Sequence, residues 1–250
     1  VLLAALAVNP AQLWATELAA PDDQAEPISK LDDVVVISTQ PGVEINPDKT
    51  VIKMDEFQRP SGVRTLTDVL TEIGGVDVQR INPLMASPGD EVSIRGLNEG
   101  RMVIEIDGRR INHTGHSGRY IVDWSTLNMD DVESIEIIRG GHSVLHPFAI
   151  GGVINIKTKK GRKTAEAKPD IKVQGGYGSF NTKYGSVSLN GGVANFIGYN
   201  FSYSDGETDG YLRNNFQKNK SVNGHISFYL PKDMQLSFSV KHSNVEYGYP

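Results

Sequence analysis

Residues 170–250 contain five segments in which apolar or aromatic residues alternate with small or polar ones. A period of two places successive side chains on opposite faces of a strand. In one segment Ile197, Tyr199, Phe201 and Tyr203 alternate with glycine, asparagine and serine. The pattern predicts five antiparallel strands, each with an apolar face and a polar face that is small and mostly uncharged.

The predicted connections between these strands differ in length. Phe180–Thr182, Gly191-Gly192 and Pro231–Asp233 predict tight turns, whereas Asp205–Lys218 predicts a long polar loop. Tight turns on one edge and variable loops on the other are typical of an outer-membrane β-barrel whose apolar residues face lipid. A soluble antiparallel sandwich is the alternative, because its strands also alternate. The small polar face favours the barrel, since it suits a lumen wall better than a water-exposed surface.

The composition excludes several classes of protein. The 250 residues carry 25 basic and 30 acidic side chains, and the net charge of −5 argues against binding nucleic acid by neutralising phosphates. Cysteine is absent, which excludes disulfides, thiolate metal sites and cysteine nucleophiles within these residues. No stretch approaches the roughly 18 apolar residues of a membrane-spanning helix.

The N-terminal residues predict export followed by a flexible segment. The apolar run Val1–Val8 resembles a signal-peptide core, so residues 1–20 are expected to be a partial signal peptide; an ordinary helix is the alternative. Residues 21–42 are expected to be a linker. Within it lies a β-branched run with no obvious partner in the chain, which suits strand addition to a partner's sheet edge. That run is Asp33, Val34, Val35, Val36, Ile37 and Ser38.

The pattern of residues 43–160 is typical of a small α+β domain. A helix is predicted over Thr65–Ile73, begun by a capping box between Thr65 and Asp68 and ended by Gly74. Asp107-Gly108 predicts a two-residue hairpin turn between short strands. Residues 161–169 are expected to be a basic, solvated linker to the strands that follow. The helical period is carried by Leu66, Val69, Leu70 and Ile73.

Four stretches of this domain resemble, in order, the plug domain of TonB-dependent outer-membrane transporters. The resemblance covers about residues 32–160, and its last stretch, VESIEIIRGGHSVLHPFAIGGVINI, is long and specific. Gly74, Gly141 and His146-Pro147 depart from the family's usual residues at turns, and these departures prevent a substrate assignment from the signature. The four stretches are Leu66–Leu70 with Gly74-Gly75-Val76, Ser93–Gly96, Met102–Asn112 and Val132–Ile156.

The resemblance implies an α+β plug followed by the first strands of a 22-stranded antiparallel barrel. It also implies a bacterial outer-membrane location and import of a scarce metal chelate, such as a siderophore, cobalamin or haem. Residues 33–38 then occupy the place of the TonB box, with periplasmic TonB and outer-membrane lipid as partners. A plugged surface receptor for adhesion or signalling is the alternative. Because 22 strands need about 220 membrane residues, residues 170–250 are expected to be part of a longer barrel.

The resemblance places two plug loops, Arg80–Glu91 and Asn112–Tyr120, on the ligand side. No catalytic residue, cofactor or protein-held metal is expected. The histidine pairs His113/His116 and His142/His146 have no carboxylate or thiolate at close spacing that would complete a metal site. Arg95 and Arg139 are expected to bond Glu136 or the barrel wall. The expected ligand residues are Asn82, Met85, His113, His116, Arg119 and Tyr120. The expected structural residues of the plug are Arg95, Glu136, Arg139, Gly140, Gly151 and Gly152.

Overall fold

A computed structural model of the chain describes residues 36–37, 41–46, 48–57, 65–114, 120–140, 146–147 and 149–250. The predicted signal peptide, nearly all of the predicted linker, and Asp33, Val34, Val35 and Ser38 of the predicted box lie outside these residues. So do His116 and Arg119 of the predicted ligand loop.

Seventeen strands and one α-helix lie within the described residues, and no helix among them is long and apolar enough to cross a membrane. The helix α1 spans Leu66–Thr71, and 3-10 turns span Glu99–Arg101, Trp124–Thr126 and Met129–Asp131. The strands are β1 (Val36–Ile37), β2 (Val43–Ile45), β3 (Lys49–Lys53), β4 (Val76–Gln79), β5 (Glu91–Ile94), β6 (Leu97–Asn98), β7 (Met102–Ile106), β8 (Arg109–Arg110), β9 (His113–Thr114), β10 (Tyr120–Ile121), β11 (Val132–Ile138), β12 (Gly152–Thr158), β13 (Asp170–Gly178), β14 (Thr182–Val193), β15 (Ile197–Thr208), β16 (Gln217–Tyr229) and β17 (Gln235–Tyr247).

The first twelve strands form a mixed domain, residues 36–158. Its main sheet has the order β1-β2-β3-β11-β12-β7-β8. Neighbouring strands are antiparallel except β12 and β7, which run parallel with Gly152 opposite Met102. Strands β4, β5 and β6 form a small second sheet, and β9 pairs with β10 in a two-residue ribbon. The predicted α+β domain is confirmed, including the hairpin turn at Asp107 and Gly108, which both take positive φ.

Strand β1 corrects one expectation about the predicted TonB box. The segment was expected to have no partner within the chain. In the structure Val36 pairs with Ile45 and Ile37 pairs with Glu44, so β1 adds to the edge of the main sheet through β2. Two of the six box residues are therefore already engaged in a short antiparallel pairing.

Helix α1 begins as predicted and ends two residues early. The Thr65 hydroxyl accepts from the Asp68 amide at 3.2 Å, and the Asp68 carboxylate accepts from the Thr65 amide at 2.8 Å, which confirms the capping box. At the other end the Glu72 and Ile73 amides bond to carbonyls three residues back, which tightens the last turn. The chain reverses at Gly75, which has a φ of 80°, and not at Gly74.

The core of the mixed domain lies between α1 and one face of the main sheet. Leu66 and Leu70 of the helix pack in the same buried cluster as Ile135 and Ile154 of the sheet, and all four side chains are fully buried. Burying each such side chain contributes roughly 1.5–3 kcal/mol. The alternating isoleucines of β11 and β12 thus fix which face of the sheet turns inward.

Strands β13–β17 form a five-stranded antiparallel sheet in chain order, here called the wall, as predicted. Over β14–β16 much of its polar face is buried, whereas its apolar face is exposed, the reverse of an ordinary soluble sheet. Ser202 and Ser221 are buried, whereas Val173 is 72% and Phe238 is 58% exposed. The mixed domain covers the polar face, which is called the inner face below.

The turns of the wall agree with the predictions except in two places. The loop predicted over Asp205–Lys218 is shorter, because β15 continues to Thr208 and β16 begins at Gln217. The other difference is at Gly191-Gly192. These glycines lie inside β14, and the turn falls at Ala194 and Asn195, which both have a φ of 54°. A Cβ on Gly191 would lie 2.6 Å from the Tyr199 hydroxyl, and one on Gly192 would lie 1.9 Å from the Arg162 carbonyl oxygen. The glycines therefore make room for close neighbours and do not form the turn.

Gly151 and Gly152 both leave no room for a side chain, and Gly152 also has a positive φ. A Cβ on Gly151 would lie 2.9 Å from the Met102 Cγ atom. Gly152 has a φ of 132°, and a Cβ there would lie 2.5 Å from the Ile138 carbonyl oxygen. Gly152 therefore tolerates a side chain least.

We expect Gly152→Ala to destabilise the mixed domain by about 1–3 kcal/mol, because it combines a disfavoured φ with a backbone clash. The measurement is hydrogen exchange of β11 and β12 amides in the assembled receptor. Gly74→Ala is the matched control, since a Cβ there meets nothing within 4 Å and its φ is not positive. Equal exchange in both variants would contradict this assignment.

Candidate functional site

The mixed domain touches the inner face of the wall through a row of polar contacts. Asp130 accepts hydrogen bonds from the Tyr184 hydroxyl at 2.9 Å and from the Ser186 hydroxyl at 2.6 Å. Its neighbour Asp131 accepts from the Asn223 amide group. Burial raises the pKa of the Asp131 carboxyl. Both aspartates belong to the 3-10 turn Met129–Asp131, which directs their side chains towards the wall.

The loop Ile81–Asp90 contacts the wall at Gln217, the first residue of β16. The Gln217 side chain donates to the Ala86 carbonyl and accepts from the Ser87 hydroxyl at 2.8 Å. Asp90 shapes the loop from within, because its carboxylate accepts from the Ile81 amide at 3.1 Å and the Ser87 amide at 3.0 Å. Burial raises the pKa of Asp90.

Asn82 does not have the exposed position that the sequence predicts for a ligand residue. Its side chain is 1% exposed and donates to the Asn215 carbonyl at 3.4 Å, so it contacts the wall. Its own oxygen accepts from the Leu84 amide at 3.0 Å and holds the loop turn. Met85 is half-buried and lines a cleft of about 70 Å³ against the wall.

The remaining predicted ligand residues are less fully defined. His113 and Tyr120 belong to the two strands of the β9–β10 ribbon, where His113 pairs with Ile121 and Tyr120 with Thr114. The ribbon brings the start and the end of the predicted loop together. His116 and Arg119 lie between its strands, outside the described residues. No cluster of three metal-ligating side chains occurs within the described part of the chain.

The partners of Arg139 in the structure differ from the predicted plug carboxylate or barrel wall. Arg139 donates to the Thr50 hydroxyl at 2.6 Å and to the Gly74 carbonyl at 3.0 Å, and so ties β3 to the turn after α1. Glu136 instead accepts from Lys157 at 2.7 Å, its diagonal neighbour on β12. Arg95 is exposed at a φ of 52°, on the turn between β5 and β6. Gly140, with a φ of 97°, provides the turn after β11.

Sequence reasoning missed Glu99, a buried carboxylate in the 3-10 turn between β6 and β7. It is 2% exposed and accepts three hydrogen bonds, from the Trp124 ring nitrogen at 2.7 Å and from the Val92 and Val122 amides at 3.1 Å each. Asn112, also buried, donates to the Glu99 backbone carbonyl at 3.0 Å. A lone glutamate beside Gly100 carries no motif, and only its three-dimensional partners reveal the role.

Glu99 fastens the β9–β10 ribbon to the rest of the mixed domain. Val122 directly follows the ribbon, Asn112 directly precedes it, and both contact Glu99. Burial raises the pKa of the Glu99 carboxyl from 4.5 to about 7, against the opposing effect of its three donors. The ribbon that the sequence assigns to ligand binding is thus anchored by a group that titrates near neutral pH.

A larger cavity, called the seam cavity, lies between the mixed domain and the wall. Its volume is about 520 Å³. On one side it is bounded by the β7–β8 hairpin and by Leu127–Val132, and on the other by the inner faces of β15, β16 and β17. The wall residues that line it are Asn200, Asn223, Gly224, His225, Ser239, Val240 and Lys241.

Comparison with known proteins explains this arrangement. Residues 42–153 match the family model described as the TonB-dependent Receptor Plug Domain. The matched residues lie within the mixed domain, which is similar to a TonB-dependent receptor plug domain and is called the plug below. The likeness to solved structures extends into the wall, because it covers about four fifths of the chain.

Three solved structures illustrate the shared fold. The siderophore receptor PirA from Acinetobacter baumannii is 20% identical with a TM-score of 0.61, over 79% of this chain and 31% of its own. The pyoverdine outer membrane receptor FpvA from Pseudomonas aeruginosa PAO1 is 16% identical with a TM-score of 0.64, over 84% and 32%. The copper transporter OprC is 17% identical with a TM-score of 0.67, over 82% and 31%. The chain thus spans about a third of the length of these proteins.

The raised pKa of Glu99 predicts a pH dependence of plug stability. A carboxyl whose pKa rises on folding contributes stability below its unfolded pKa, and this is lost as pH rises through about 7. We expect the free energy of unfolding of the plug, compared with that of the Glu99→Gln variant, to fall by at most about 3 kcal/mol between pH 5 and pH 8. Hydrogen exchange of the Val92 and Val122 amides in the assembled receptor measures it. Parallel pH profiles in the two proteins would refute the assignment.

Proposed function

We propose that this chain belongs to an outer-membrane transporter that imports a scarce metal chelate, with energy delivered by TonB. The observation that carries the proposal is a plug domain seated on a wall whose polar face is inside and whose apolar face is outside. An apolar outer face is stable against lipid, and a polar inner face is stable against a plug. The function is binding and gated passage, without bond chemistry.

The names of the similar structures support the class of cargo. A siderophore receptor, a pyoverdine receptor and a copper transporter all share this fold. A siderophore, cobalamin or haem are the candidate cargoes, and the ligand residues proposed for them are Met85, His113, His116, Arg119 and Tyr120. Asn82 is proposed to act indirectly, because its side chain is bonded to the wall and holds the loop that carries Met85.

The two ends of the wall support an orientation in the membrane. The turn at Phe180 and the loop between β15 and β16 share one end, since the Asp209 amide donates to the Phe180 carbonyl at 3.0 Å. The plug loop Ile81–Asp90 contacts the same end through Gln217. Long loops of such barrels lie outside the cell and short turns face the periplasm. We therefore propose that this plug loop faces the exterior.

We expect a thiol reagent applied to intact cells to label Asp209→Cys and not Lys232→Cys. Asp209 starts the long loop, whereas Lys232 lies in the tight turn at the opposite end of the wall. The 250 residues contain no native cysteine, and labelling of the unaltered receptor gives the background from the rest of the protein. Both variants should react after the cells are permeabilised, which controls for reactivity. Labelling of Lys232→Cys alone in intact cells would reverse the proposed orientation.

The proposed TonB contact is residues 33–38. Their β-branched sequence suits pairing with a strand edge of TonB. Among the described residues the β1–β2 pairing involves Val36 and Ile37, and this is the internal contact that TonB would have to replace. Each backbone hydrogen bond contributes only about 0.5–1.5 kcal/mol net, which makes such an exchange feasible.

We expect Val35→Pro to abolish uptake of a labelled chelate while leaving its equilibrium binding to cells unchanged. Proline removes a backbone donor and fixes φ, which interrupts a strand-to-strand ladder at that position. Ala25→Pro, in the predicted linker, is the matched control and should transport normally. Uptake at the wild-type rate would show that these residues do not couple to TonB. If Val35→Pro also loses binding, these residues form a structural strand of the plug. If the unaltered receptor binds the chelate without taking it up, an adhesion or signalling role is favoured.

A further inference from the structure

Residues 160–164, here called the connector, follow the last strand of the plug and are bonded to the wall. They begin the stretch that the sequence predicts to be a solvated linker, and several of their side chains are exposed. Their backbone, however, is engaged. The Arg162 amide donates to the Gly191 carbonyl at 3.0 Å, and the Thr164 carbonyl accepts from the Asn195 amide at 2.8 Å. The connector therefore lies along the β14–β15 hairpin, at its tight turn.

Three glycines let the connector and the hairpin approach each other closely. Gly192 and Gly198 pair with each other across β14 and β15. A Cβ on Gly192 would overlap the Arg162 carbonyl oxygen, and one on Gly198 would lie 3.3 Å from the same atom. On the connector, Gly161 has a φ of 83°, and a Cβ there would overlap the Tyr199 amide nitrogen. Both surfaces thus lack side chains where their backbones meet, and this place is called the slot below.

Ion pairs lie beside the slot and join the plug to the first strand of the wall. Asp55, two residues beyond β3, pairs with Lys159 at 3.3 Å and with Lys172 of β13 at 2.9 Å. Arg162 pairs with Asp170, the first residue of β13, at 3.2 Å. Asp55 is half exposed and the second pair is exposed, so these ion pairs contribute little stability. The backbone bonds and the fit of the glycines therefore account for most of the attachment.

The slot holds the plug far from the strand on which TonB is proposed to act. The connector continues from β12, an inner strand of the main sheet, whereas β1, which contains Val36 and Ile37 of the predicted TonB box, lies at the sheet edge. Strands β2, β3 and β11 separate the two. A force applied to β1 therefore meets three other strand pairings before it reaches β12. The two ends of the plug chain thus differ, since one lies at a free edge and the other is seated in the wall.

We propose that the slot is a fixed anchor, which keeps the connector and the end of β12 on the β14–β15 hairpin while the rest of the plug rearranges during import. The inference rests on the proposed import function and adds the part of the plug that stays in place. Lifting the connector would break the bonds of Arg162 and Thr164 together. It would also leave the Asn195 amide, at the turn of the hairpin, without its partner.

Trypsin tests the seating of the connector independently of transport. We expect the assembled wild-type receptor to resist cleavage in the connector, and Gly192→Ala to be cut there several-fold faster, because its methyl group displaces the Arg162 carbonyl. Gly185→Ala is the matched control, since it also lies in β14 but a Cβ there meets nothing within 4 Å. Equally fast cleavage of the wild type and Gly192→Ala would overturn the proposal. The sites to follow are Lys159, Lys160, Arg162 and Lys163.

A cross-link tests whether the seated connector stays fixed, and it does not require Gly192→Ala to fold. The Lys163 ammonium lies 5.6 Å from the centre of the Tyr229 ring, at the end of β16. We expect a Lys163→Cys/Tyr229→Cys receptor, joined by a short, membrane-permeant bifunctional thiol reagent, to take up a labelled ferric catecholate as fast as the unjoined double variant. Each single variant treated with the same reagent is the control.

Loss of uptake only in the joined double variant would overturn the proposal, because the connector would then have to move during import. Absence of uptake by the unaltered receptor would instead refute the import function. The trypsin comparison would in that case still decide whether the connector is seated in the slot.

Discussion

The polar inner face of the wall is the constraint on which the rest of the structure depends. Serines and asparagines such as Ser186 and Asn200 are buried there, and a buried polar group is stable only when it is paired. The plug supplies those partners with carboxylates, because Asp130 and Asp131 accept from several wall side chains at once. The apolar outer face then follows from strand geometry, since a strand that turns one set of residues inward must turn the alternate set outward.

Within the plug, buried polar groups define loops that apolar packing alone leaves undefined. Asn112 accepts from the Ile104 amide at 3.1 Å and donates to the Glu99 and Met102 carbonyls. Glu99 in turn holds Val92 and Val122. Removing a partner from such a network leaves the others buried and unpaired, which is costlier than the loss of one bond. The ribbon that presents the proposed ligand loop is therefore positioned by polar bonds that reach back to the core.

The sequence was sufficient for the features that local periodicity decides. Alternation predicted all five wall strands, and the capping box at Thr65 predicted where the helix starts. The glycine turns were less well predicted, because the helix ends before Gly74 and the chain reverses at Gly75. Gly191-Gly192 resembles a turn in sequence but allows close approach of Tyr199, and the bond from Asn82 to Asn215 depends on a residue far away in sequence. Glu99 has no signature at all, since its partners come from three separate segments of the chain.

The junction between plug and wall is built from many weak bonds and few strong ones. The Asn82, Ser87 and Ser243 contacts with their opposite partners are neutral hydrogen bonds between 2.8 and 3.5 Å. Each contributes only about 0.5–1.5 kcal/mol, because water can replace the partner that is lost. Neutral contacts of this kind can be lost one at a time. The junction also contains charged contacts, because Asp130 and Asp131 accept from wall side chains and Asp55 pairs with Lys172 at 2.9 Å. Breaking a buried charged contact leaves a charge without compensation and costs more than the loss of a neutral bond. The buried carboxylates therefore hold the plug to the wall more firmly than the amides and hydroxyls do.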